Sequence, residues 1–412
     1  MMIFQMGQMS QMYRTEEDKL QFNPVSRSWA TKMQLSYDSV RFGHSCLRSA
    51  VRKLRLFDAP AVVGAFVFCV STVFAQSPQK LWSVDLGTNK DFHNRLDVFE
   101  GAVNPPSIDF LSNSRIICGF YDGERRNINS PPLPRPGYHV LAINAQNGLF
   151  GQELDFHPAE DDAKTLPIYG GGFVVSTGRE LLEFSNEFVP GIKYHEPSGD
   201  LDAYLRVDVS PSLQTILVYD KTPENPQAEW NWFRVKDFSL VTSLQGPRAR
   251  LKWEASDTAA IFDGIGNRTL LSTGKVAVIC TLCNAYFITD DLLFIDMDTS
   301  YYLQTIEGKQ QGRGKLNLEA LKLTRAAQAT RIAYLTGAYR GWGFPIQTHF
   351  NRLTGKVIVL DWSTNKKVGE IKISERVSNP SAGFEQTALA LSPDGKYVAF
   401  LFHHTLSLYR MP

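Results

Sequence analysis

Leu389-Ala-Leu-Ser-Pro-Asp-Gly-Lys-Tyr-Val-Ala-Phe400 is the stretch that decides the fold of this chain. An alternating apolar run meets a Ser-Pro-Asp-Gly turn, and a second apolar run leaves it, as in two strands joined by a hairpin. Weaker copies stand upstream as Ile108-Asp-Phe-Leu-Ser-Asn-Ser-Arg-Ile-Ile117, Val207-Asp-Val-Ser-Pro-Ser-Leu-Gln-Thr-Ile216 and Tyr286-Phe-Ile-Thr-Asp-Asp-Leu-Leu-Phe-Ile295. A second element recurs beside it: a strand, an Asp or Asn, a turn and a closing strand. Val357-Ile-Val-Leu-Asp-Trp-Ser-Thr-Asn-Lys-Lys-Val-Gly-Glu-Ile371 shows it best, and 140–151 and 294–306 repeat it. A hairpin that returns at a fixed place in a longer unit predicts an all-β chain built as a β-propeller.

Working outward, the units fall at 107–155, 165–192, 203–246, 255–279, 284–306, 319–373 and 384–410. That makes seven blades, or six if 255–306 is a single blade. Seven units over 76–412 give about 48 residues each, close to the usual propeller repeat. The last unit ends at Thr405-Leu-Ser-Leu-Tyr-Arg410, one strand short of a four-stranded blade. Leu81-Trp-Ser-Val-Asp-Leu86 offers the missing strand, and its pairing there closes the ring and removes an open edge.

The Ser392-Pro-Asp-Gly395 turn and the Val-Leu-Asp…Gly edge resemble the WD40-like, YVTN-type propellers of secreted bacterial proteins. The resemblance covers most of 76–412 and implies a secreted seven-bladed propeller; the group has no established activity. The Trp-Asp and Gly-His signatures of regular WD40 repeats are not kept, and Asp361-Trp362 has the reverse order.

The N-terminal region has a different character. Arg52, Lys53 and Arg55 precede an apolar run over 59–75 that ends in Val73-Phe74-Ala75. A basic region, an apolar region and a small-x-small site read as a signal peptide over 51–75 cut before Gln76. Residues 1–50 are polar and without period. They are expected to be a disordered extension, or to precede a true translation start at Val51. An uncleaved 59–75 segment would instead anchor a membrane-bound sensor ectodomain. The predicted location is therefore secreted or periplasmic, with 76–412 as one β-propeller domain.

Bulk composition narrows the function classes. The 412 residues are 43% hydrophobic and 21% charged, with a formal net charge of +1, so no strong field favours nucleic acid. Of the five cysteines, Cys118, Cys280 and Cys283 lie beyond residue 75. Cys280-Thr-Leu-Cys283 has no following His for haem attachment and no second pair for zinc. It forms a disulfide if a turn precedes Asn284, and otherwise stays as two thiols. No HExxH helix, GxSxG elbow, Walker loop or dinucleotide fingerprint occurs. The histidines are scattered without ligand spacing along the chain, so neither a metal nor a cofactor is expected.

Three units carry long insertions at the same point, after the second strand: 121–137, 220–232 and 337–349. Equivalent connections leave a propeller on one face. They bring Arg125, Arg126, Trp230, Trp232, Tyr339, Arg340, Trp342 and Phe344 to one mouth of the ring. Trp, Tyr and Arg are the types that dominate binding hot spots. These residues are the candidate binding surface of a monomeric, non-catalytic module for a protein or a cell-surface polysaccharide. The alternative is an enzyme of lyase, glycosidase or quinoprotein type, with its site at the channel mouth. Asp122, Glu124, Asp220 and Glu224 are then its candidate acids.

Overall fold

The computed structural model describes residues 77–86, 106–121, 137–157, 163–178, 180–195, 204–221, 227–247, 253–263, 267–273, 275–281, 283–297, 299–316, 320–340, 352–376, 387–402 and 405–412. The signal-peptide and extension readings of 1–75 lie outside these residues. The described chain is strand and turn, without an α-helix, and no helix in it is long and apolar enough to cross a membrane.

Seven antiparallel four-stranded sheets follow one another along the chain. Blade 1 holds β2 (Ser107–Ser112), β3 (Arg115–Tyr121), β4 (Tyr138–Asn144) and β5 (Phe150–Phe156). Blade 2 holds β6 (Lys164–Pro167), β7 (Phe173–Ser176), β8 (Glu180–Phe184) and β9 (Pro190–His195). Blade 3 holds β10 (Tyr204–Val209), β11 (Thr215–Lys221), β12 (Gln227–Arg234) and β13 (Leu240–Pro247). Blade 4 holds β14 (Trp253–Ala255), β15 (Ala259–Asp263), β16 (Asn267–Ser272) and β17 (Lys275–Thr281). Blade 5 holds β18 (Asn284–Phe287), β19 (Leu292–Asp296), β20 (Ser300–Thr305) and β21 (Gln310–Lys315). Blade 6 holds β22 (Ala320–Arg325), β23 (Arg331–Arg340), β24 (Arg352–Asp361) and β25 (Lys366–Arg376). Blade 7 holds β26 (Thr387–Leu391), β27 (Tyr397–Phe402) and β28 (Thr405–Arg410), with β1 (Gln79–Asp85) as its fourth strand. The stretch 255–306 therefore belongs to two blades, and the count is seven.

The repeated serine builds the turn between the first two strands of a blade. Ser210, Ser256 and Ser392 are fully buried, and each hydroxyl accepts the backbone N–H of the residue that opens the next strand: Thr215 (3.2 Å), Ala259 (3.0 Å) and Tyr397 (2.9 Å). This local bond competes with a straight continuation of the strand. In the last blade Ser392 also donates to Asp394 Oδ1 at 2.7 Å, and Gly395 takes a left-handed φ of 70°. A Cβ at Gly395 would lie 2.8 Å from Arg331 Cδ in blade 6, so the glycine also permits close approach between blades.

Packing lies between blades. Seven apolar clusters fill the seven interfaces around the ring. The sheets are thus buried on both faces, which explains near-continuous apolar runs such as Ile332–Leu335. The cluster between blades 7 and 1 joins Leu401, Leu406 and Leu408 to Ile108, Ile116 and Leu141. The strand β1 completes it: Leu86 is in that core, Trp82 and Val84 pack on it, and Trp82 Nε1 donates to Ala145 O in blade 1 at 2.8 Å. The pairing runs from Gln79↔Arg410 to Asp85↔Thr405, with a bulge between Lys80 and Trp82. Ring closure by the N-terminal strand is as the sequence predicts, two residues earlier at its start.

Candidate functional site

Strand direction divides the connections between two rims. Naming the strands of each blade a to d from the channel outward, a–b and c–d turns share one rim, and b–c and d–a connections share the other. The b–c connections are 122–137, 222–226 and 341–351 in blades 1, 3 and 6, against two or three residues in blades 2, 4, 5 and 7. The three insertions thus leave by one rim. Blade 6 also extends its sheet there: β22 first pairs at Ala320↔Thr336, while β23, β24 and β25 remain in register out to Arg340↔Arg352 and Arg352↔Arg376.

The candidate residues divide three ways. Trp230 and Trp232 are corrected from loop to core. They stand on β12, each 0% exposed, packed with Leu217, Tyr219, Ala255, Phe262 and Leu271 between blades 3 and 4. The Trp232 indole donates to Ser256 O at 2.8 Å, which fixes it on the neighbouring turn. The strand alternation Trp230-Asn-Trp232 puts both rings on one face, and that face is an interface. Neither residue offers a binding surface. Tyr339 and Arg340 end β23, paired in the ladder with Leu353 and Arg352, so 337–340 is strand. Arg125, Arg126, Trp342 and Phe344 lie outside the described residues, as do Asp122, Glu124 and Glu224; Asp220 is on β11, opposite Leu205.

Cys280 and Cys283 are bonded as a disulfide, with Cα atoms 6.1 Å apart. The bond spans the d–a connection from β17 to β18, and Arg268 supports it by donating to Cys283 O (3.1 Å) and Asn284 Oδ1 (2.7 Å). Cys118 is a buried thiol whose ionisation is pushed up by desolvation and by Asp109.

The channel holds a second set of residues. The a strands present Asp109 (β2), Lys164 (β6), Asp208 (β10), Glu254 (β14) and Lys322 and Arg325 (β22). An a strand is the open edge of its sheet, with N–H and C=O groups that need partners. The charged side chains provide them across blade boundaries. Asp208 Oδ2 accepts from Ala255 N of blade 4 at 3.0 Å, and Glu254 Oε2 accepts from Phe287 N of blade 5 at 3.0 Å. Lys164 lies 3.5 Å from Asp208 Oδ1, and Lys322 donates to Thr387 O of blade 7. Arg325 spans the channel: one nitrogen donates to Phe287 O in blade 5 (3.0 Å) and the other to Val209 O in blade 3 (3.2 Å).

Burial pushes Asp109 and Glu254 up to about 7, against the opposing pull of Lys164 and Arg325. At the a–b rim, Asp257 and Asp290 belong to the turns of blades 4 and 5. Asp257 N donates to Asp290 Oδ1 at 2.8 Å, and Asp257 Oδ1 accepts from Ser212 (2.9 Å) and Thr215 (2.5 Å). Burial, then the Asp257 charge, raises Asp290 to about 6; burial also opposes ionisation of Asp257, but the hydroxyls of Ser210, Thr215 and Ser212 hold it low. The repeat marks the positions of the channel acids along the chain, but not what they face. Asp208 and Glu254 stand two residues before the turn serines Ser210 and Ser256, and Asp109 lies in the matching Ile-Asp-Phe strand.

No family model and no curated protein matches the chain. Several solved structures are similar. The Pan2 WD40 domain of Neurospora crassa has 12% identity, covering 82% of this chain and 96% of that one, with a TM-score of 0.50. BBS1N, solved in complex with ARL6DN, has 12% identity, 81% and 97% coverage and a TM-score of 0.44. An oligogalacturonate lyase in complex with manganese has 12% identity, 75% and 90% coverage and a TM-score of 0.41. At these identities the likeness is one of fold: the chain is a seven-bladed β-propeller, and WD40 domains are among its structural neighbours.

Proposed function

We propose that this propeller is a non-catalytic binding module that works outside the cytoplasm and holds a protein partner against its b–c rim. The observation that carries the reading is the asymmetry of the rims. The three longest b–c connections leave on one side, and blade 6 carries three paired strands past its own inner strand on that side. Loops and edge extensions on a rigid ring are where recognition is commonly placed. The channel favours this reading over an enzyme, because Asp208, Glu254 and Arg325 spend hydrogen bonds on neighbouring blades. An extracellular or periplasmic site is supported by the 51–75 segment and by the Cys280–Cys283 disulfide.

The test is cross-linking and capture from native envelopes, with the intact protein beside a variant whose residues 341–351 are replaced by an Asn-Gly turn between Arg340 and Arg352. Such a turn suits a two-stranded connection and leaves the blade paired. A protein captured by the first and lost by the second supports the reading. Equal capture by both, or a polysaccharide as the only bound material, counts against it.

A further inference from the structure

The outer edge of blade 1 carries a cluster that the binding role does not use. His139 is the second residue of β4, and Asp155 is directly opposite it on β5. Glu153 lies two residues back on β5 and so shares the face with Asp155. The His139 side chain is 10% exposed and stacks on Phe120, with ring centroids 5.3 Å apart. Its Nδ1 lies 2.6 Å from Asp155 Oδ1 and 3.3 Å from Glu153 Oε1. All three candidate donor atoms lie within 4.8 Å of one another.

We propose that His139, Glu153 and Asp155 form a binding site for one divalent transition-metal ion of the Zn²⁺ class. Charge is the first argument. One imidazole nitrogen faces two carboxylates, and even a protonated ring leaves one negative charge over. Among the described residues no lysine or arginine pairs with either acid. A dication balances both carboxylates and leaves the imidazole neutral, its usual state as a ligand.

Distance is the second argument. Bonds of about 2.0–2.1 Å in a tetrahedral site put ligand atoms roughly 3.3 Å apart. The His139–Glu153 separation already has that value. The His139–Asp155 separation must open by about 0.7 Å to reach it. Asp155 is 66% exposed and free to make the change, while the buried, stacked ring supplies the fixed member. In the bound state the ring keeps one proton on Nε2 and gives its Nδ1 lone pair to the metal, and a second ring proton, where present, leaves to solvent. The remaining coordination position is left to water.

The signal escaped a reading of spacing along the chain, since sixteen positions separate His139 from Asp155. The β4–β5 hairpin brings them together.

The experiment uses the tag-free, disulfide-oxidised protein after treatment with a chelator. Zn²⁺ uptake is measured by calorimetry, and Co²⁺ is used as the spectroscopic probe. The expected result is one equivalent of Zn²⁺ and a Co²⁺ visible band of a low-coordinate nitrogen and oxygen site. The affinity should fall at least tenfold in Asp155→Asn and in Glu153→Gln, and be lost in the double variant. Uptake should also weaken as pH falls and protons compete for His139. The two acids are exposed enough that these variants keep the fold, which unchanged far-ultraviolet spectra will verify. No saturable uptake, or uptake that the double variant retains, overturns the proposal.

Discussion

Trp230 and Trp232 carry the largest fully buried side chains among the described residues, and their cost of removal follows from that position. Trp230→Ala should destabilise the fold by about 3–5 kcal/mol, the usual range for truncating a buried aromatic. Urea unfolding would measure it; a loss below about 1 kcal/mol would contradict the buried placement. Glu254 links stability to pH. Its folded value of about 7 lies above the ordinary carboxyl value, so ionisation favours the unfolded chain. The stabilising contribution is complete at low pH and is lost as pH rises from about 4.5 through 7. Glu254→Gln keeps an acceptor for Phe287 N–H and removes the titration. Its stability should therefore change less between pH 5 and pH 8 than that of the parent, by on the order of 2 kcal/mol. Equal slopes for the two proteins would remove the channel assignment. None of these roles was legible from residue type alone. A tryptophan reads as a hot spot or as core until the strand that holds it is known.

The repeated hairpin was legible because its chemistry is local. Serine, proline, aspartate and glycine at fixed offsets specify the turn wherever it occurs. Gly395→Ala should test the strictest instance. The left-handed φ of 70° costs a Cβ about 1–2 kcal/mol, and the contact with Arg331 adds to it. A transition shifted down by several degrees is expected in thermal unfolding, and no shift would mean the turn relaxes freely. The boundary between turn and insertion was harder to read. Residues 227–232 and 337–340 have polar or glycine-containing sequences, yet they are paired strand, because their partners lie across the sheet. The ladder partners of 337–340 begin at residue 352, on the far side of the insertion.

Seven interfaces and one closing strand make the ring a single cooperative object. Removing 77–86 takes Leu86, Trp82 and Val84 from the interface between blades 7 and 1 and opens the edge of β28. We expect the truncated protein to lose its cooperative transition, or to melt more than about 10 °C lower. A melting point within a few degrees of the parent would show that closure lies elsewhere. The overall architecture could be read from the sequence because a propeller repeats its signals. The channel could not, since Asp109, Asp208, Glu254 and Arg325 are brought together only when successive blades close around a common axis.

Whether the b–c rim faces the partner is decided by lysine cross-linking of the captured complex, read by mass spectrometry. Lys164, Lys221 and Lys372 lie toward that rim, at or near the b–c and d–a ends of their strands. Lys236, Lys309 and Lys396 occupy turns of the opposite rim. Partner links are expected at the first three and not at the second three; links concentrated at Lys236, Lys309 and Lys396 would place the partner on the opposite rim.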